Sequence, residues 1–267
     1  MTEPHVHEVF AIKYAAMPDR APWMNFIGID PHEGPSGLDF YVWLIRGGGR
    51  TWVVDIGYDR PVAERRGRSI IRNPVEGLQL MGVDAAAVED VVITHMHWDH
   101  VGNVGLFPKA RIHVQDKEMQ YTTGRYMQHA AFRAAYDLDH VLSMVTALYG
   151  NRLVFHDGDD ELAPGLSVHF IGGHTMGLQV VRVWTRRGWV VLASDASHLY
   201  PNMELGRPFP IVFNVGEMLE GHKKLQRLAS SGRHVIPGHD PDVMRRYPAV
   251  SKELEGIAVR LDVEPTA

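Results

Sequence analysis

The sequence predicts an α/β chain, of the α+β kind, with two β-sheets packed face to face and helices outside. Three observations carry this. Strand-like and helix-like segments follow one another in the order strands, helices, strands, helices. Several strand segments are near-continuous apolar runs, which suits burial on both faces. No low-complexity stretch divides the 267 residues, so 1–267 reads as one domain.

Residues 1–37 are expected to give a strand and then a proline- and glycine-rich loop lying over the site, with Trp23, Met24 and Phe26 as apolar anchors. Residues 38–46 and 51–56 read as a β-hairpin about Gly47, Gly48 and Gly49. A helix is expected within 60–81. VEDVVIT (88–94) and ARIHVQ (110–115) read as strands. A helical insert is expected over 116–149, anchored by Met119, Tyr126, Met127, Phe132, Tyr136, Leu142 and Val145. Strands follow at 152–156, 166–171, 178–184 and 189–194. Residues 215–229 carry apolar side chains at helical spacing. HVIPGHD (234–240) is a short strand ending in a Pro-Gly turn, and 249–261 is expected to form a closing helix.

Composition narrows the function. With no cysteine, thiolate metal sites, disulfides and a cysteine nucleophile are excluded. A reducing, cytoplasmic compartment is compatible, and the first ten residues hold no apolar run of the signal-peptide type. No apolar stretch reaches the ~20 residues of a membrane span. Net charge is −5, and the only tight basic knot, Arg65, Arg66 and Arg68, reads as a solvated helix end. A nucleic-acid partner is therefore not expected. Histidine stands out: sixteen of them in a chain without cysteine.

Their placement is informative. THMHWDHVGN (94–103) puts His95, His97, Asp99 and His100 directly after a buried strand. Residues two apart in extended chain point the same way, so His95 and His97 can grip one ion, while the adjacent Asp99 and His100 leave at another angle and can serve a second. His174 follows Gly172-Gly173, Asp195 follows Ser194, and His239 follows Pro237-Gly238, each at a strand end. Five histidines and two aspartates suffice for two ions about 3.5–4 Å apart that hold a hydroxide between them, with one carboxylate left to bridge.

These segments, THMHWDH (94–100), GGHTMG (172–177), SD (194–195) and PGHD (237–240), resemble in kind and order the motifs of the metallo-β-lactamase superfamily. The resemblance spans about residues 38–240. It implies an αββα sandwich of two mixed sheets flanked by helices. It implies further that His95, His97 and His174 hold one metal, that Asp99, His100 and His239 hold the other, and that Asp195 bridges. Asp55 would support the site from behind. Two zinc ions are implied, with iron, manganese or cobalt as alternatives.

Within the family, the size, the insert and the ligand set look most like the N-acyl-homoserine lactonases. That likeness implies hydrolysis of a small lactone by a metal-bridging hydroxide, with Asp99 passing a proton to the leaving group. One position departs: where those enzymes carry a tyrosine three residues after the bridging aspartate, this chain has His198, and Tyr200 lies out of register. His198 is therefore expected to polarise substrate or handle a proton. Trp23, Met24, Phe26, Trp98 and Met127 are candidate pocket walls. The partner is a small ester or lactone, and apolar surface in 1–37 suggests a homodimer. The alternatives are a glyoxalase II-like thioesterase, another small ester or amide hydrolase, and a metal-binding sensor on a retired scaffold.

Overall fold

The computed structural model describes residues 4–28, 30 and 32–266. Residues 1–3, 29, 31 and 267, some of them in the expected N-terminal loop, lie outside the described residues.

The strands are β1 (Glu8–Met17), β2 (Leu38–Gly47), β3 (Arg50–Val54), β4 (Asp90–Val92), β5 (Arg111–Gln115), β6 (Leu153–His156), β7 (Asp160–Ala163), β8 (Leu166–Phe170), β9 (Gln179–Thr185), β10 (Gly188–Ser194), β11 (Val235–Pro237) and β12 (Ala258–Arg260). They form two mixed sheets. The larger has the order β12-β1-β2-β3-β4-β5-β6 and the smaller β11-β10-β9-β8-β7. Within the first, β3, β4, β5 and β6 run parallel, while β1, β2 and β12 pair antiparallel. The helices are α1 (Arg60–Arg65), α2 (Pro74–Leu80), α3 (Asp116–Thr122), α4 (Ala130–Arg133), α5 (Leu138–Tyr149), α6 (Tyr200–Glu204), α7 (Val215–Leu228) and α8 (Asp242–Arg246).

Period-two alternation sorts the strand side chains into two cores. Phe10, Ile12 and Tyr14 of β1, with Phe40, Val42 and Leu44 of β2, pack outward against Leu78 of α2 and Met144 of α5. Val9, Ala11, Tyr41, Trp43 and Ile45 face the second sheet, where Val168, Val181 and Leu192 meet them. Leu225 of α7 and Val243 of α8 close that sheet's far face. Two sheets between two helical layers is the expected αββα sandwich.

Two expected helices differ. The segment 60–81 is two helices, because Gly67 takes a left-handed φ of 58° after α1. Asn73 then starts α2 afresh, accepting from Val75 N–H while Glu76 accepts from Asn73 N–H, with Pro74 at the first turn. The closing helix over 249–261 is absent. Instead β12 adds to the open edge of β1, with Ala258, Val259 and Arg260 opposite Ile12, Ala11 and Phe10. An exposed strand edge has unpaired N–H and C=O groups, and that demand outweighs a weak helical pattern. The insert over 116–149 is helical but broken into α3, α4 and α5.

Asp90 ties the middle of the first sheet. Its buried carboxylate meets Arg50, Arg111 and His113 Nε2. Burial raises its pKa, but the His113 hydrogen bond and the two arginine charges outweigh it and hold the group down to about 2. A lowered folded value gives stability that is complete above the unfolded value of 3.8 and lost as pH falls through about 2. Asp90→Asn is expected to lower the melting temperature by a few degrees at pH 7 and to flatten its decline between about pH 4 and pH 2. Thermal melts across that range check this; parallel curves for both proteins would contradict it.

Candidate metal centre

Four chain segments end at one edge of the sandwich, and each delivers a predicted residue. The turn after β4 brings His95, His97, Asp99 and His100, the turn after β8 brings His174, and the ends of β10 and β11 bring Asp195 and His239. The last two segments must come very close. A Cβ on Gly238 would sit 2.7 Å from the Ser194 carbonyl and 2.8 Å from Asp195 Oδ1, so only glycine fits. Ser194 itself has φ 44° and Asp55 has φ 54°, a conformation that costs energy for non-glycine residues and collects at functional sites.

The side chains converge in two groups. His95 Nε2, His97 Nδ1 and His174 Nε2 lie 2.8–3.2 Å from one another, and Asp195 Oδ2 is 3.2 Å from His174 Nε2. On the other side, Asp195 Oδ1 is 3.0 Å from His239 Nε2 and 3.4 Å from His100 Nε2. Asp99 Oδ2 is 3.7 Å from His100 Nε2 and 3.8 Å from His239 Nε2. One carboxylate thus turns one oxygen to each group.

Contacts behind the rings decide which nitrogens carry protons. His174 Nδ1–H donates to the Ile211 carbonyl at 2.7 Å and His239 Nδ1–H to the Asp39 carbonyl at 2.9 Å. His100 Nδ1–H donates to Asp55 Oδ2 at 2.7 Å, and Asp55 is fixed in turn by Thr94 N–H and Oγ1–H, both at 2.8 Å. With Nδ1–H engaged outward, each of these rings in its neutral form has its lone pair on the inward Nε2. Burial, then the neighbouring imidazoles, presses His95 and His97 well below the ordinary histidine value, so both rings are neutral. His100 goes the other way: burial lowers it, but Asp195, Asp99 and Asp55 raise it well above. Buried His100 Nε2 and Asp195 Oδ1 have no hydrogen-bond partner among the described residues. Lone pairs of buried, mostly neutral donors facing one another without protons between them are unfavourable. Positive charge among them relieves this, and the donor set suits divalent metal.

Sequence reading missed several supports. Glu118 of α3 is fully buried, and burial raises its pKa. It accepts from Met96 N–H at 2.8 Å, Thr175 Oγ1–H at 2.6 Å, Gly177 N–H at 3.1 Å and Tyr136 O–H at 3.3 Å. It therefore clamps the His95–His97 turn to the His174 turn. A lone glutamate in VQDKEM carries no motif that announces this. The backbone of Asp39, which holds His239, left no sequence signal either.

His198 lies beside the site. Its Nε2 is 2.8 Å from Asp195 Oδ2 and its ring stacks on Phe209 at 3.5 Å. Burial, opposed by Asp195, pushes its pKa down to about 3. Tyr200 is buried elsewhere, against Arg246. A cavity of about 550 Å³ opens over the centre, with His97, Asp99, His174, Asp195, His198 and His239 on its floor. Of the expected wall residues, Met24 and Trp98 line it. Trp23 stands outside and is exposed, Phe26 is buried in the core, and Met127 packs against that core; apolar character alone does not separate wall from core.

The model of the metallo-beta-lactamase superfamily matches residues 40–250. The chain belongs to that superfamily. Curated relatives within reach of this metallo-beta-lactamase-type chain include N-acyl homoserine lactonase AttM of Azorhizobium caulinodans, 28% identical over 63% of this chain and 64% of that one. Another is N-acyl homoserine lactonase AiiA of Bacillus thuringiensis subsp. kurstaki, 28% identical over 61% of this chain and 60% of that one. The matches thus span under two thirds of these relatives' length. A crystal structure of a quorum-quenching N-acyl homoserine lactone lactonase superposes with a TM-score of 0.72 at 22% identity, covering 90% of this chain and 95% of the other. The dizinc quorum-quenching lactonase AidC superposes at 0.67 and 17%, covering 90% of each chain. At such identities the structural likeness is one of fold.

Glu118→Gln keeps the size of the side chain but turns an NH2 group toward donors. It is expected to weaken metal affinity roughly ten- to a hundredfold, measured by competition with a chromophoric chelator. Unchanged affinity would show that the clamp has no bearing on the centre.

Proposed function

We propose that the protein is a dinuclear metal-dependent hydrolase that opens a small lactone. The observation that carries this is Asp195, with one oxygen turned to His95, His97 and His174 and the other to His100 and His239. On this reading the first three histidines hold one ion, Asp99, His100 and His239 hold the second, and Asp195 bridges. Zinc is the metal we infer, in keeping with the dizinc lactonase AidC; iron, manganese and cobalt suit the same donors. Two such cations supply Lewis acidity and lower the pKa of water from about 15.7 to about 7.

The chain supplies the rest. The cavity's apolar lining sheds bulk water and seats the substrate over the floor. Hydrolysis forms a bond from water oxygen to the lactone carbonyl carbon and breaks the ring C–O bond. The leaving oxygen needs a proton, and Asp99 borders the cavity where its Oδ atoms can carry one across. His198 takes a narrower part than proton handling. Its Nε2–H donates to Asp195 Oδ2, which leaves Nδ1 as an acceptor. It positions the bridging carboxylate and lacks a hydrogen to polarise a carbonyl. The relatives named as N-acyl homoserine lactonases support the lactone as substrate class.

A panel of lactones, thioesters and aryl esters, followed by proton release with metal-loaded enzyme, tests the reading. Lactone opening is expected, abolished by a chelator and restored by zinc. Cleavage of thioesters alone would replace it with a thioesterase, and no turnover of any member would favour a binding protein. Asp99→Ala is expected to lower kcat by about 100-fold or more. A variant keeping most of its kcat would remove Asp99 from proton transfer.

A further inference from the structure

The cavity lining is mixed. Apolar side chains, Met17, Met24, Phe132, Ile211 and Phe213, share it with a wall of three arginines, Arg20, Arg66 and Arg68, near enough to act on one another electrostatically. The basic knot of the sequence is solvated at Arg65 and Arg68, as expected, and Arg66 and Arg68 also border the cavity. After α1 the left-handed Gly67 lets Arg68 N–H reach the Ala63 carbonyl at 2.8 Å, and the chain reverses. Arg65 goes to the surface, where it pairs with Asp137 at 2.9 Å and Asp139 at 3.3 Å. Arg66, half-buried, and Arg68, exposed, border the cavity.

Two of the three guanidinium groups are held in place by neutral acceptors. Arg66 donates to the carbonyls of Ala134 at 3.0 Å and Tyr136 at 2.8 Å, and lies 4.9 Å from the centre of the Trp98 ring, between His97 and Asp99 in the chain. Arg20 is buried and donates through Nε to Asn25 Oδ1 at 2.6 Å and through one Nη to the Met24 carbonyl at 2.8 Å. Its other Nη makes no hydrogen bond among the described residues, and Arg68 makes no side-chain hydrogen bond there. No ion pair among the described residues involves Arg20, Arg66 or Arg68. Among the described residues the only carboxylates on the cavity, Asp99 and Asp195, belong to the candidate metal centre.

Arg20 is buried without an ion pair, which is unfavourable, and a guanidinium fork matches a carboxylate or phosphate in shape and sign. We propose that this wall is a subsite for an anionic group, a carboxylate or a phosphate, carried by the substrate, with Arg68 and the free Nη of Arg20 as its ligands. Arg66, its terminal donors engaged, braces the wall. The proposal rests on the hydrolase reading of the same cavity and narrows its substrate to an anionic ester or lactone.

The test compares matched substrates: one ester or lactone scaffold bearing a carboxylate, a phosphate monoester or an uncharged methyl ester. The charged forms are expected to exceed the neutral one in kcat/KM at least tenfold, and the better of the two identifies the anion. Arg68→Gln is expected to cut that ratio roughly ten- to a hundredfold, and Arg20→Gln to cut it further, while Arg65→Gln keeps it. In parallel, calorimetric binding of glutarate to the metal-loaded protein is expected to weaken at least tenfold in Arg68→Gln. A neutral ester cleaved as well as the charged ones, or a ratio and a glutarate affinity that survive Arg68→Gln, would overturn the proposal. If no ester or lactone is cleaved, the hydrolase reading fails and the glutarate arm alone decides whether the wall binds anions.

Discussion

Lone pairs from His95, His97 and His174 meet one another at 2.8–3.2 Å in a buried space, and Asp195 links them to a second set on His100, His239 and Asp99. Unprotonated donors held so near each other repel, and burial removes the water that would soften the repulsion. Positive charge entering between them relieves that repulsion. Much else at this edge serves to keep those atoms aimed: the left-handed Ser194 and Asp55, the glycine at 238, and the hydrogen bonds that fix each ring from behind.

Those outer contacts come from distant parts of the chain. Asp39 at the start of β2 holds His239, Asp55 beyond β3 holds His100, and Glu118 on α3 joins the two turns that bear His97 and His174. The sandwich brings such segments together because both sheets end their strands at the same edge. The cavity above takes its lining from the N-terminal loop, the turn after α1, the insert and the segment before α7, which together supply apolar side chains for the body of a small molecule and three guanidinium groups.

The centre was legible in the sequence where ligand-type residues were crowded or flanked by glycine. THMHWDH packs four such side chains into six residues, and His174 and His239 each follow a glycine at a strand end. The layered fold was legible through strands that are apolar on both faces, such as β4, whose Val91 and Val92 enter different cores. Backbone carbonyls such as Ile211 and Asp39 have no residue signature, and Glu118 is one acid among many. The Arg65–Arg68 knot read as surface, and Arg65 and Arg68 are exposed; spacing could not tell that Arg66 and Arg68 also border the cavity. Helix pattern over 249–261 lost to the demand of the β1 edge for a partner.

The central claim is that the seven side chains exist to hold two cations that share Asp195. Anomalous diffraction from crystals of the metal-loaded protein, recorded at the absorption edge of the bound element, tests it most directly. The account predicts two peaks per chain about 3.5–4 Å apart, one among His95, His97 and His174 and one among Asp99, His100 and His239, with Asp195 between. A single peak elsewhere, or none with the rings still crowded as they are, would contradict it.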